Sequence, residues 1–161
     1  MASIIIGILI SLLTTAVSIW AGYKIAICLT AKEREARRKS IKQQLVAALR
    51  FNAERAEQAA AQLKEGGQPN FPFGTLALNV LLVEGHSFIE NGLFNDIMWG
   101  VYQMEHVNAK LAVINTRFVA MVTNAENTAA LGLYREDLKK HYLIVAEGTK
   151  KLADRLEASA E

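Results

Sequence analysis

The stretch AKEREARRKSIKQQLVAALRFNAERAEQAAAQLK, residues 31–64, decides the fold. It contains neither Gly nor Pro and is built mostly from Ala, Glu, Gln, Lys, Arg and Leu, the strong helix formers. Ile41, Leu45, Ala48, Asn52, Ala56, Ala59 and Leu63 step by four and three, which lays one stripe along an otherwise polar helix. Such a stripe has to be buried against other elements of the chain. No segment shows sustained period-two alternation bounded by turn residues, so those elements are helices and the expected class is all-α.

Downstream, Gly66, Gly67, Pro69, Pro72 and Gly74 fall together and include both prolines, which marks a loop. A short helix is expected from Thr75, as N-cap, to Glu84, with Gly85 ending it; its apolar core, Leu76 to Val83, is too short to span a bilayer and is expected to be buried inside the bundle. From Asn91-Gly92 a long helix is expected, with Ile97, Val101, Met104, Asn108, Leu111, Asn115, Phe118 and Val122 on one seam. After a polar break at residues 123–127, a last helix runs to about Ala158. Leu131, Tyr134, Leu138, Tyr142, Val145, Thr149, Leu152 and Leu156 share one of its faces. Three long helices and one short one predict an antiparallel bundle.

Upstream lies IIIGILISLLTTAVSIWAGYKIAICL, residues 4–29, in which Lys24 is the sole charge. A helix crosses a hydrocarbon core with about 20 such residues. The run is too long for a signal-peptide core, and residues 1–3 carry no basic side chain. The expectation is one N-terminal transmembrane helix over residues 1–30, retained as an anchor, and a soluble bundle over 31–161. Nothing between Leu29 and Lys32 stops a helix, so span and bundle helix are expected to be continuous.

Charge sets the orientation. Lys32, Arg34, Arg37, Arg38 and Lys39, with Lys42 close behind, all follow the span, which predicts an outer N-terminus and a cytoplasmic bundle at the inner membrane. Lys24 can snorkel to the same interface, where Trp20 and Tyr23 also fit. The basic run meets anionic headgroups or acts as an orientation signal alone. From Phe51 onward acids outnumber bases 14 to 10, which excludes a general nucleic-acid binder.

Chemistry-bearing motifs are missing. Cys28 is the single cysteine, so no internal disulfide forms. It is read as a small apolar residue, with palmitoylation the alternative. None of His86, His106 and His141 has a Glu three residues before it, as a di-iron bundle requires. No nucleophile elbow, phosphate loop or dinucleotide fingerprint is present. Neither catalysis, a metal nor a cofactor is expected.

Three further features bear on function. Gly7, Ser11, Thr15, Ser18, Gly22 and Ala26 form a small-residue stripe suited to close helix contact in lipid. Asn52, Asn108 and Asn115 interrupt apolar seams. Such amides set bundle register or line a polar pocket, and their spacing favours register. Phe71 and Phe73 flank Pro72 and are expected to pack back onto the bundle, whereas Trp99 sits off the seam as a candidate docking residue.

The arrangement resembles a loose class of small bacterial membrane-anchored helical-bundle proteins. Arg37-Arg38-Lys39, the seam Asn52, the loop with Pro69 and Pro72, and Tyr102 followed by Asn108 carry the resemblance, across residues 30–122. It implies a fold and a bacterial origin, and brings no activity with it. The expected function is that of an interaction protein, a homo-oligomer or an accessory subunit of a membrane complex, with lipid and membrane-protein subunits as partners. The alternative is a membrane-tethered sensor that binds a small ligand near Asn108 and Asn115. A pore or lysis factor fits less well, because one span offers little polar lining.

Overall fold

The computed structural model describes residues 2–67, 72–121 and 127–159, with side chains for 18–67, 72–116, 130 and 132–159. Among them are four helices and no strand: α1 Ala2–Lys64, α2 Thr75–Gly85, α3 Asn91–Met121 and α4 Asn127–Ala158. The chain divides into two compact units, Met1–Lys39 and Ser40–Glu161.

In the first unit, Ile19, Trp20, Tyr23, Ile25, Ile27 and Leu29 are exposed, and the Lys24 ammonium lies over the Trp20 ring. Residues 31–39 are exposed throughout. Among the described residues no helix is long and apolar enough to cross a membrane. The side chains of residues 1–17, which carry much of the apolar run, lie outside the described ones.

The second unit is an antiparallel helical bundle. Ion pairs mark the register of α1 against α4: Arg50 meets Glu157 at 2.6 Å and Asp154 at 3.5 Å, and Lys150 meets Glu57 at 2.5 Å. Opposite numbering along α3 and α4 gives Asp96–Arg155 and Lys110–Asp137. Mostly exposed, these pairs follow the alignment and add little stability.

Stability comes from the seams. Ile41, Leu45, Asn52, Ala56, Ala59 and Leu63 of the expected α1 stripe are buried, joined by Leu49, Ala53 and Ala60. The stripe changes character along its length. Leu45 and Leu49 fill space at the level of α2, and above them a run of alanines lets neighbours come close. Leu93, Val107 and Ile114 join the α3 seam, and Ala146 and Ala153 join that of α4, whereas Tyr134 is exposed. The seam residues Phe118, Val122 and Leu131 have no described side chains.

One local expectation is corrected and another refined. Thr75 does not cap α2. It is the first helical residue, Gly74 occupies the cap position, and no side chain bonds there. Gly85 is the last residue of α2, as expected, but it closes the helix without a positive φ. Its need for hydrogen is steric: a Cβ would lie 3.2 Å from both Ile41 Cγ2 and Ile89 Cδ1. Lys42 likewise leaves the exposed basic run. It is buried and donates from Nζ to the Ser159 carbonyl at 2.8 Å and to its hydroxyl at 3.2 Å. A cation at a helix C-terminus complements the carbonyl dipoles left open there.

Candidate interaction surface

The seam asparagines hold the loop. Phe73 N–H donates to Asn108 Oδ1 at 2.7 Å, and Asn108 Nδ2 donates back to the Phe73 carbonyl at 3.2 Å. Gly74 N–H donates to Asn52 Oδ1 at 3.1 Å, while Asn52 Nδ2 bonds the Ala48 carbonyl one turn back. Two side chains thus satisfy the backbone ahead of α2, where a Thr75 cap was expected. Asn115 is half-buried, and none of the three amides lines the clefts described below. Arg135 adds bonds to the Gly66 and Gly67 carbonyls.

Anchored this way, Phe73 is buried with its ring 5.5 Å from that of Tyr142; Phe71 lies outside the described residues. Tyr142 is itself buried, and its hydroxyl has no hydrogen-bond partner among the described residues. Burial pushes its pKa from the usual 10 up to about 12. An orphan hydroxyl costs free energy that a phenyl ring would not. Tyr142→Phe is therefore expected to raise stability by about 1 kcal/mol at neutral pH, read as a higher urea midpoint. The fold favours the neutral phenol, so this group's support is complete below pH 10 and is lost as pH rises toward 12. The Phe variant should lack that alkaline loss.

Charge and histidine gather where α3 meets α4. Lys110 Nζ lies 2.7 Å from Asp137 Oδ2 and 3.2 Å from His141 Nε2, and the His141 Nδ1 side bonds the Asp137 carbonyl at 2.8 Å. The hydrogen bond from Lys110 holds the Asp137 carboxyl below its usual range. The His106 ring centroid is 5.8 Å from that of His141. A cleft of about 250 Å³ opens beside the cluster, floored by Val113 and Ile114. Sequence reading treated these histidines singly. The signal was their pairing with Lys110 and Asp137 four residues away, which has meaning only once α3 and α4 are aligned. Among the described residues no group of three or more His, Cys, Asp or Glu is placed to hold a metal.

The larger feature is apolar. Trp99 is exposed and stacks on Tyr102, ring centroids 5.2 Å apart and planes at 22°. Together with Ile144 and Gly148 of α4, Trp99 lines a groove of about 450 Å³. Gly100 sets the depth, since a Cβ there would come within 2.9 Å of Leu152 Cδ1. On the other side of α3, Leu76, Val80 and Val83 make an exposed ridge along α2. A hydrogen bond of 3.3 Å from Asn79 Nδ2 to Glu105 Oε1 aligns α2 with α3, which puts Val80 and Val83 about level with Tyr102. With Met98, these residues put exposed apolar side chains on α2, α3 and α4, with the Asn79–Glu105 pair between the ridge and α3. Apolar faces of this breadth, with aromatics at the centre, mark interaction surfaces. Only Trp99 was singled out from sequence; the ridge was expected to be buried.

The other sequence candidates divide. Ser18 and Gly22 are exposed, with nothing within 4 Å of where a Gly22 Cβ would stand. Gly7, Ser11 and Thr15 lie outside the residues with described side chains. Lys32, Arg34, Arg37, Arg38 and Lys39 are exposed, as is Cys28.

No protein family matches this chain, and no curated protein or solved structure matches it either.

Proposed function

We propose that the chain is a single-pass membrane-anchored interaction protein, whose bundle presents an apolar face to a protein partner at the cytoplasmic side of the inner membrane. The observation that carries the reading is the exposed face built around the Trp99–Tyr102 stack. A water-facing helix pair gains nothing from exposing Trp, Tyr, Ile, Val and Leu together, whereas burial at an interface removes that area from water. The anchor rests on the apolar run of residues 4–29 and on exposed Ile19, Ile25, Ile27 and Leu29, which water solvates poorly and lipid solvates well. Exposed Trp20, Tyr23 and Lys24 suit the headgroup region, and the basic residues 32–39 favour the cytoplasmic side. The small-residue stripe through Ser18 and Gly22 supports a second contact, helix to helix in lipid.

Native mass measurement of the full chain extracted in mild detergent tests the proposal. The expected result is an assembly heavier than the 17.7 kDa chain, made of copies of it or of a co-purifying subunit. Monomer alone, with no companion chain, overturns it.

A further inference from the structure

We infer that the partner of this face is a second copy of the chain, docked about a two-fold axis that runs along α3. The inference rests on the interaction reading above and names its partner. The face is a ridge and a groove set side by side: α2 with Leu76, Val80 and Val83 on one flank of α3, and the Trp99–Ile144 groove on the other. A two-fold axis parallel to α3 and lying in the interface carries the α2 ridge of one copy across to the α3–α4 groove of the other. It leaves each residue at its own level along the bundle. Val83 lies between the levels of Trp99 and Tyr102, so the Val83 end of each ridge meets a groove at matching height, twice per dimer. Such an isologous contact closes on itself and leaves no face open for further growth.

Area and charge agree with this partner. The seven apolar side chains of the face are between 42% and 78% exposed. At about 200 Å² for a large side chain, they offer on the order of 800 Å², one partner's share of a standard stable interface. The charges at the rim are already neutralised within the chain, Asp96 by Arg155 at 2.6 Å and Glu147 by Lys151 at 2.7 Å. At these two pairs the copies meet already neutralised, and Glu105, bonded to the Asn79 amide, is a carboxylate of the face that no ion pair covers among the described residues. A partner recognised by charge would find no free counterpart among these pairs.

Cysteine cross-linking in native membranes, on the full chain with Cys28→Ser, tests the inference. Tyr102→Cys lies near the axis and should link to its own copy with a short bismaleimide. Val83→Cys combined with Ile144→Cys should link between copies, because α3 separates the two positions within one chain. Both should give a covalent homodimer at least ten times above the exposed control Gln58→Cys. Adding Trp99→Lys should abolish it while the helical circular dichroism stays unchanged. Links no stronger than at Gln58→Cys, in a chain whose native mass is still oligomeric, overturn this face while leaving the interaction reading standing. A link to a different protein overturns the second-copy partner. A monomeric native mass overturns both.

Discussion

Asn108→Ala should destabilise the bundle by about 3 kcal/mol, the largest loss expected from any single polar side chain here. The amide serves the Phe73 backbone at both ends, accepting from its N–H at 2.7 Å and donating to its carbonyl at 3.2 Å. Alanine leaves two part-buried backbone groups unpaired, and each costs about 1–3 kcal/mol. It also loosens the segment that seats the Phe73 ring against Tyr142. Asn108→Asp separates the two roles. A carboxylate still accepts from Phe73 N–H, but it cannot donate, and it sets an anion against the Phe73 carbonyl. The aspartate variant should therefore rescue little at pH 7 and more at acidic pH, where the acid is protonated and donates again. Asn52→Ala breaks a single bond to the loop, at Gly74, and should cost less. Urea unfolding of the detergent-solubilised chain measures all three. A loss below about 0.5 kcal/mol for Asn108→Ala, the size of an ordinary surface substitution, would show that the loop is held by other means.

Deleting residues 2–30 should move the chain from the membrane pellet to the soluble fraction, and the full chain should stay in the pellet through an alkaline carbonate wash. The Ile, Leu and Val side chains of the apolar run favour insertion by about 0.3–0.6 kcal/mol each, roughly 5 kcal/mol together and a factor of several thousand in partition. Lys24 is the one charge that opposes them, and its place near the end of the run lets the ammonium reach the interface. Remaining exposed residues of the basic run, Lys32 to Lys39, would hold the truncated chain to anionic membranes weakly, and 0.5 M salt should release it. Recovery of the intact full chain in the supernatant sinks the anchor. So does a mature chain whose measured mass lacks the N-terminal residues.

How much of this was legible beforehand depended on the range of the interaction. The buried stripe of α1 was read from Ile41 to Leu63 because a helix repeats every 3.6 residues whatever surrounds it. The loop was read from its prolines and glycines, whose backbone limits are equally local. The Asn52 and Asn108 positions were visible as breaks in apolar seams, but their partners were not, since Phe73 and Gly74 approach only when the loop folds back. Lys42 was grouped with its basic neighbours in the chain, yet a helical turn toward α4 carries it into the bundle beside Ser159. The α2 ridge misled for a related reason. A helix of eleven residues with Leu or Val at six of them carries more greasy side chains than one face can bury, so Leu78 and Leu82 go in while Leu76, Val80 and Val83 stay out.

Sequence by itself determined the helices, the loop between α1 and α2 and which stripe of α1 turns inward, because propensity and periodicity act within a few residues of the chain. Tertiary structure alone decided which residues 30 or more positions apart become neighbours: His106 with His141, Asn108 with Phe73, and Asp96 with Arg155. Register between helices is set by packing many side chains at once, and no local pattern encodes that sum.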